Sequence, residues 1–550
     1  MTCCLDATKA LLGKMLLPVL FLFLTGCGEQ APPPPKLSGP AVPAYGDAYV
    51  EGSLGDASNL IPYLASDTTS SGITGNVYDG LLRFDKNLDL VPNLAESWEI
   101  SEDGLTITFK LRQGVKWHDG QPFTAEDCVF TWKFVTDPQT PTPYAADMLQ
   151  IETAEALDPH TFRVRYKRPF SKALYLWLGD IVPKHLLEGQ NLADSPLARH
   201  PIGTGPYVFV SWKPGASIEL KSNPEYFRGR PYIDRVVSKI IPDTATMFLE
   251  LKAGNIDSMV LTPIQYARQT GSEKFKAAFN KYRYVASSYT YLGYNLRNKL
   301  FQDRKVRLAL GLAINREELV QGVLLGYGKP AVGGFKPGTW AANPEIEPIP
   351  YDPEKAKRLL AQAGWIDSDG DGVLDRGGVP FSFTIVTNQG NSARLKTAII
   401  IQEWFKRIGV QVKVRAVEWA ALLKEFIDKQ AFEATIMGWT QPADPDPFVV
   451  WHSSKVEPGG LNFIGFKNRE VDELIVTARE TVDREVRRKA YFRFQEIIHH
   501  EQPYSFLYQP ETLPVVSSRF YGIEPAVAGI AYNFNQWFVP RELQKYSYAP

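Results

Sequence analysis

Short stretches of alternating apolar and polar residues predict β-strands, and apolar residues spaced three or four positions apart predict helices. Leu105, Ile107, Phe109 and Leu111 alternate with polar residues, so we expect a strand with one buried face. The preceding residues 101–104 (SEDG) are typical of a hairpin turn. Strand and helix patterns alternate along most of the chain, which places the protein in the α/β class.

Capping residues predict where the helices begin. Thr124 followed by Asp127 has the form of a capping box, and Asp352 followed by Pro353 supplies an N-cap and a proline at the first helical position. On such signals we expect helices over residues 124–136, 315–326, 352–364 and 394–408. The pattern also predicts a buried strand over 432–437 and a strand over 410–417, directly after the fourth helix.

Length and composition narrow the range of functions. The chain has 550 residues, too many for one hydrophobic core, so two or three domains are expected. A net charge of −1 and a pI near 6.7 give no support for nucleic-acid binding. Aromatic residues make up 12% of the chain, which suits both a large core and an apolar cleft.

The N-terminus has the features of an export signal. Lysines precede an apolar run at residues 15–24, which is too short to span a membrane core of about 30 Å. The run ends at 24–27 (LTGC), which resembles the bacterial lipobox, where cleavage precedes a diacylated cysteine. We therefore predict a signal peptide over 1–26, a lipid on Cys27 and a location in the cell envelope. Translation starting at Met15 instead of Met1 remains open.

Cleavage would leave Cys128 as the one unmodified cysteine, so no internal disulfide is possible in the mature chain. Residues 27–45 are rich in proline and form the predicted semi-rigid tether between the lipid and the folded body. No second apolar run is long enough to cross a membrane.

Several runs resemble family 5 of the extracellular solute-binding proteins, the oligopeptide and dipeptide type. The longest are residues 92–98 (PNLAESW), 103–120 (DGLTITFKLRQGVKWHDG) and 122–127 (PFTAED). Shorter matches follow in the family's order at 203–207 (GTGPY), 294–295 (YN), 307–310 (RLAL), 313–316 (AINR), 351–356 (YDPEKA), 438–439 (GW) and 471–474 (VDEL).

The resemblance implies a two-lobed periplasmic-binding-protein type II fold with an extra domain in the first lobe. By analogy, lobe I comprises residues 46–78, 199–288 and 513–545, the extra domain 79–198, and lobe II 289–512. The resemblance also implies hinge segments near 285–292 and 508–514, and closure of the lobes around a ligand. It implies a monomer without a cofactor that binds short peptides and delivers them to the permease of an ABC importer.

Candidate ligand-binding residues follow the predicted buried strand. In relatives, an aspartate soon after the Gly-Trp pair binds the peptide ammonium, but here Gln441 and Pro442 hold the nearest positions. The acids come later, at Asp444 and Asp446, where they either anchor an ammonium or only shape a proline-rich turn. Further candidates for the cleft are Trp419, Trp439, Trp451, Tyr291, Asn462, Phe463 and Arg394. Each aromatic residue suits a core position equally well.

Residues 367–375 (DSDGDGVLD) resemble the first nine positions of a calcium loop. Asp367, Asp369, Asp371 and Asp375 occupy positions 1, 3, 5 and 9, but Gly378 stands where the bidentate glutamate should be. The segment therefore predicts either a weak structural calcium site or an acid-rich surface turn.

Catalytic motifs are missing from the sequence. The seven histidines lack metalloprotease spacing, and there is no nucleophile elbow and no Walker loop. We therefore predict a binding protein that is not an enzyme. Three alternatives stay open. The first is a non-peptide solute such as an oligosaccharide, opine or metal chelate in the same fold, and the second is a sensory receptor that signals instead of feeding an importer. The third is a hydrolase that uses carboxylates in the cleft.

Overall fold

The computed structural model describes residues 39–64, 67–142, 144–389, 391–417, 421–441 and 444–547. The predicted signal peptide, Cys27 and the first part of the tether lie outside these residues, as does Trp419. Among the helices of these ranges, none is a candidate for a membrane-crossing segment.

The strands are β1 (Gly46–Ser53), β2 (Leu82–Phe84), β3 (Leu90–Pro92), β4 (Ala95–Ile100), β5 (Thr106–Leu111), β6 (Ile151–Asp158), β7 (Thr161–Tyr166), β8 (Tyr207–Lys213), β9 (Ser217–Ser222), β10 (Ile233–Ile240), β11 (Ser258–Val260), β12 (Phe279–Lys281), β13 (Tyr284–Val285), β14 (Ser288–Tyr294), β15 (Gly328–Pro330), β16 (Asp375–Arg376), β17 (Val379–Pro380), β18 (Ser382–Asn388), β19 (Gln411–Val417), β20 (Ala434–Thr440), β21 (Tyr504–Thr512) and β22 (Pro514–Ser517).

The α-helices are α1 (Thr68–Val77), α2 (Ala125–Thr136), α3 (Ala145–Met148), α4 (Lys184–Leu187), α5 (Thr244–Ala253), α6 (Glu273–Ala278), α7 (Arg304–Leu312), α8 (Arg316–Leu324), α9 (Pro353–Gln362), α10 (Ser392–Arg407), α11 (Phe448–Trp451), α12 (Arg469–Arg479) and α13 (Arg484–Glu501).

The predicted helix starts are confirmed where a cap is local in sequence. Thr124 and Asp127 form the capping box of α2, and Asp352 accepts a hydrogen bond from the backbone of Lys355 at the start of α9. α10 begins at Ser392, two residues before the expected start, because Asn391 is its N-cap. The buried strand expected at 432–437 is observed as β20, which begins and ends later.

Two large sheets form the two lobes of the molecule. The first sheet has the order β12-β22-β11-β1-β10-β9-β8, and the second β13-β21-β14-β20-β18-β19, with β15 beside β21. We call the parts built around them the first and second lobes. A separate antiparallel sheet, β4-β5-β7-β6, is the centre of the extra domain, which also includes α2 and α3.

The extra domain shares its hydrophobic core with the first lobe. Phe109 and Phe162 from its sheet belong to the same buried cluster as Tyr207 and Ile218 from the first sheet. The turn at 117–120 strengthens this attachment, because the backbone N–H of His118 donates to the carbonyl of Gly203 at 2.8 Å. The family motif at 117–120 therefore has a structural role here, because it joins the extra domain to the first lobe.

The chain crosses between the two large sheets twice, between β12 and β13 and between β21 and β22. The second crossing falls inside the expected segment 508–514, whereas the first, at residues 282–283, lies just before the expected segment 285–292. The two crossings lie side by side, since the backbone N–H of Tyr282 donates to the carbonyl of Pro514 at 2.9 Å. A paired crossing of this kind suits a hinge.

A buried ion-pair network closes the first lobe. Arg519, whose side chain is 1% exposed, donates to Asp257 Oδ2 at 2.7 Å and also pairs with Asp47. The same guanidinium donates to the carbonyl oxygen of Ala48 at 2.7 Å. One arginine thereby connects β1, the segment before β11 and the C-terminal part of the chain.

Candidate functional site

A cleft of about 600 Å³ lies between the second lobe and the extra domain. The extra domain contributes Asp147, Lys172 and Tyr175, and the first lobe contributes Tyr63. The wall from the second lobe includes Tyr289, Lys336, Trp439, Gln441, Asp446, Trp451 and Arg479. The size and the mixture of apolar rings with a few polar groups are typical of a small-ligand site.

Two predicted aromatic residues line this cleft, the buried Trp451 and the partly exposed Trp439. Trp439 lies near the carboxyl end of β20, a strand that pairs in parallel with β18, where α/β folds collect ligand groups. Its ring stacks over Tyr291 with centroids 6.4 Å apart and planes 12° apart. The packing on one face fixes the indole orientation and leaves part of the side chain exposed to the cleft.

Tyr291 lies behind Trp439 and is fully buried, so its predicted place on the cleft wall is wrong. Its ring stacks on Tyr504 with a centroid distance of 3.9 Å, and burial raises its pKa well above the usual value. β14 is a central strand of the second sheet, and this face of it packs into the core of the second lobe. Tyr291 therefore supports Trp439 from below.

Asp446 faces the cleft, but its carboxylate is already paired. Oδ2 lies 3.1 Å from Lys172 Nζ and 3.2 Å from Arg479 Nε, and the side chain is 7% exposed. Asp147 completes the group, 3.0 Å from the Lys172 ammonium and 3.8 Å from Arg479 Nη2. We call these four residues the interlobe charge cluster, because two belong to the extra domain and two to the second lobe.

The charges in this cluster stabilise one another. Burial lowers the pKa of Lys172, but the carboxylates of Asp446 and Asp147 outweigh it, so the pKa lies above its ordinary value. A backbone hydrogen bond lies next to the cluster, from Ser171 N–H to the carbonyl of Arg479 at 2.6 Å. Both acids of the cluster thus hold the extra domain against the second lobe.

Asp444 lies behind the cleft wall, inside the second lobe. Its Oδ1 accepts a 2.6 Å hydrogen bond from Arg487 Nη2, and the two side chains are 4% and 3% exposed. Burial raises the pKa of Asp444 to about 6, although Arg487 opposes the shift. This carboxylate is committed to an arginine, so the structure gives no support to its predicted role as an ammonium anchor.

Asn462 and Phe463 are core residues, and their predicted place in the cleft is wrong. The Asn462 amide nitrogen donates to the carbonyls of Trp451 and Phe466 at 3.2 and 2.9 Å, which fixes the loop before α12. Phe463 is 2% exposed and packs against Trp439 with a centroid distance of 6.0 Å. Both residues shape the wall from behind.

Arg394 is partly buried at the start of α10 and is not among the residues that line the cleft. Nη1 donates to Asn388 Oδ1 at 2.9 Å, and burial lowers the pKa of the guanidinium. The N-terminus of α10 is already capped by Asn391. The predicted contact with a ligand carboxylate therefore does not fit this position.

Lys336 and Gln441 are two cleft residues to which the sequence assigned no role. Lys336 lies in a loop with glycines and a proline nearby, which carries no pattern that marks a site. The sequence does mark the position of Gln441, because it is one of the residues nearest to where the resemblance predicts an aspartate. The charge cluster was likewise unpredicted, since its members come from four distant segments of the chain.

The acidic loop brings three of its four predicted residues together. The carboxylates of Asp367, Asp369 and Asp371 lie within 4.8 Å of one another and are exposed. Asp375 is engaged elsewhere, because it accepts hydrogen bonds from the backbone and the hydroxyl of Ser368 at 2.9 and 2.6 Å. Its predicted role as a ligand at position 9 is therefore not supported, while calcium binding itself stays a prediction.

Comparisons with known proteins agree with one another. The family described as "Bacterial extracellular solute-binding proteins, family 5 Middle" matches residues 89–459. Oligopeptide-binding protein AppA of Bacillus subtilis is 34% identical over 546 residues, covering 97% of this chain and 99% of AppA. Heme-binding protein A of Haemophilus influenzae is 31% identical over 490 residues, covering 84% and 85% of the two chains.

Solved structures show the same two-lobed fold. AppA from Bacillus subtilis in complex with a nonapeptide has a TM-score of 0.74 and 34% identity, covering 90% of this chain and 100% of AppA. NikZ from Campylobacter jejuni in complex with Ni(L-His) has a TM-score of 0.75 and 30% identity, covering 90% and 99%. Similar folds thus hold ligands of different chemistry.

Proposed function

The chain belongs to family 5 of the bacterial extracellular solute-binding proteins, and on that premise we propose that it is a receptor for short peptides. In this proposal the lobes enclose a peptide by hinge closure and deliver it to the permease of an ABC importer. The similarity to oligopeptide-binding AppA over nearly the whole chain supports peptides as the solute.

The cleft between the second lobe and the extra domain is the observation that carries the proposal. Its walls come from parts of the molecule that the paired crossings allow to move relative to each other. Trp439 and Trp451 supply apolar surface for side chains, and Gln441 supplies amide groups that match a peptide backbone. A ligand that touches both walls would favour the closed arrangement.

The proposal includes a lipid on Cys27 and a location outside the cytoplasm. A diacylglyceryl group with a further acyl chain holds a protein stably at a membrane, whereas one chain does not. The tether and the paired hinge would then leave both lobes free to move near the permease. Cys128, which is buried in the extra domain, serves as the matched control for this modification.

Replacing Cys27 by serine should move the protein from the membrane fraction to the soluble fraction of the cell envelope, as measured by fractionation and immunoblotting. Cys128→Ala should leave the protein in the membrane fraction. Retention of the Cys27→Ser protein in the membrane would contradict the lipid anchor.

Peptide binding is tested with the full chain purified from membranes in mild detergent. The protein is incubated with a peptic digest of casein, and the bound material is identified by native mass spectrometry. Intact peptides in a one-to-one complex are the expected result. A metal chelate or sugar carried through purification, with no peptide bound, would favour a non-peptide solute, and cleaved peptides would favour a hydrolase.

A further inference from the structure

Among the residues that the structure describes, five charged side chains line the cleft, and together they carry an excess of positive charge. The acids are Asp147 and Asp446, and the bases are Lys172, Arg479 and Lys336. Both acids are paired within the interlobe charge cluster, and the second oxygen of Asp446, Oδ1, accepts a hydrogen bond from the backbone N–H of Phe448 at 3.1 Å. An ammonium entering this cleft would meet carboxylates that are already neutralised.

Lys336 differs from the other two bases because its partners are neutral. Its Nζ donates to Ser287 Oγ at 3.2 Å and to the carbonyl oxygen of Val527 at 2.9 Å. Within the described ranges of the chain, no carboxylate lies within ion-pair distance of it. Burial lowers the pKa of its ammonium, and a nearby anion would reverse that shift. An ammonium has three donors, so one N–H remains for a ligand.

Gln441 is a buried amide whose side chain has no hydrogen-bond partner among the residues that the structure describes. It is 6% exposed, lines the cleft, and leaves both Oε1 and Nε2 unpaired. Buried polar groups are nearly always hydrogen-bonded. A ligand that pairs with this amide would therefore remove the free-energy cost of burying it without a hydrogen bond. The unpaired amide therefore points to a ligand with amide groups of its own.

Lys336 and Gln441 flank the same residue. The backbone N–H of Gln441 donates to the carbonyl of Ser287 at 2.8 Å, while the Lys336 ammonium binds the hydroxyl of Ser287. Ser287 directly precedes β14, close to one of the two crossings between the lobes. A cation and an unpaired amide are thus presented together at the hinge side of the cleft.

We propose that Lys336 binds a carboxylate of the ligand and that Gln441 pairs with an adjacent amide, so that recognition does not require a free ammonium. This assignment rests on the proposed function, because it names the class of peptide that the same cleft selects. Ligands with a carboxylate and a blocked amino end would bind as well as ligands with a free amino end. The carboxylate comes from either the peptide C-terminus or an acidic side chain.

Chemical modification of one peptide pool tests the assignment directly. The peptic digest of casein is used unmodified, after acetylation of its amines, and after methyl esterification of its carboxyl groups. Native mass spectrometry of the full chain should show binding from the unmodified and acetylated pools and at least a tenfold loss from the esterified pool. Loss on acetylation, or binding that survives esterification, would overturn this assignment alone. No peptide from the unmodified pool would overturn the proposed function and the assignment with it.

Two synthetic versions of a recovered peptide separate the two carboxylate sources. One carries a C-terminal amide, and the other has its acidic side chains replaced by their amides. A loss of affinity confined to the first assigns the C-terminal carboxylate, and a loss confined to the second assigns a side chain. Unchanged affinity of both would overturn the assignment.

Variants of Lys336 and Gln441 provide an independent test, in which titration calorimetry measures their affinity for the same peptide. Lys336→Met should lower affinity about tenfold, since it removes a charge-assisted hydrogen bond, and Lys336→Arg should retain most of the affinity. Gln441→Asp should also weaken binding, because the new carboxylate would compete for Lys336. Lys355→Met, an exposed substitution at the start of α9, is the matched control. Equal affinity of Lys336→Met and the unaltered protein would overturn the assignment, as would equal loss in Lys336→Arg.

Discussion

Oδ1 of Asp444 lies 2.6 Å from Nη2 of Arg487, and both side chains are almost completely buried in the second lobe. The pair fixes the loop that carries Asp446 to the cleft, because the Tyr491 hydroxyl next to Arg487 also donates to the carbonyl of Pro445 at 2.6 Å. Of the two roles that the sequence leaves open for Asp444, these contacts favour the shaping of the proline-rich turn.

Asp444→Asn should therefore lower the stability of the protein. The substitution leaves the buried Arg487 guanidinium without a counter-charge, a change that typically costs about 3 kcal/mol. Chemical denaturation monitored by circular dichroism measures the difference in the free energy of unfolding. Asp428→Asn, at an exposed position, should leave that free energy unchanged. Equal stability of Asp444→Asn and the unaltered protein would contradict the structural role.

The interlobe charge cluster predicts a conformational effect. Asp446→Asn removes the carboxylate shared by Lys172 and Arg479, so the closed arrangement should lose about 1.5 kcal/mol relative to the open one. Small-angle X-ray scattering of the ligand-free protein should then report a larger radius of gyration. Lys184→Met breaks a pair with Glu126 inside the extra domain and should not change the radius. An unchanged radius in Asp446→Asn would show that other contacts hold the lobes together.

Asp180 predicts how stability depends on pH. Burial, with a contribution from the Asp79 carboxylate, raises the pKa of Asp180 from 3.8 to about 7. A pKa that is higher in the folded state means that this group stabilises the fold fully below about pH 4, and that the contribution disappears as the pH rises through about 7.

Asp180→Asn should consequently lose fewer degrees of melting temperature between pH 5 and pH 8 than the unaltered protein. Differential scanning calorimetry at the two pH values measures the difference. Asp428→Asn should follow the unaltered protein. A parallel decrease in Asp180→Asn would mean that the carboxyl group titrates near its ordinary pKa.

The acidic loop predicts a weak response to calcium. Asp367, Asp369 and Asp371 are grouped and exposed, and the loop lacks the bidentate glutamate, so we expect a dissociation constant on the order of 1 mM. Calcium should raise the melting temperature more than magnesium does, and Asp369→Asn should abolish the rise. No rise with calcium would identify the segment as an acid-rich surface turn.

Local features of this fold follow from the sequence, because their causes are local. Thr124 and Asp127 are three residues apart and cap α2 as expected, and the α/β class follows from the alternation of patterns. Trp439 is a cleft candidate from the sequence because it lies near the carboxyl end of a buried strand. In α/β folds, ligand clefts form at the carboxyl ends of parallel strands.

The polar part of the cleft was beyond sequence reasoning, because its contacts join distant segments. Lys336 meets a carbonyl 191 residues away, and Asp444 meets its arginine 43 residues away. The sequence shows only that Asp444 and Asp446 are acidic. In the folded protein Asp444 is buried against an arginine of its own lobe, whereas Asp446 belongs to the interlobe charge cluster. The core places of Asn462 and Phe463 were likewise hidden, because a motif does not reveal which face of a loop is covered.

The ion pairs of Arg519 bear on how this protein is made. Its guanidinium binds Asp47, which lies 472 residues earlier in the chain. The two buried aspartates can therefore pair with this arginine only after the whole second lobe has been synthesised, so this network of the first lobe forms late.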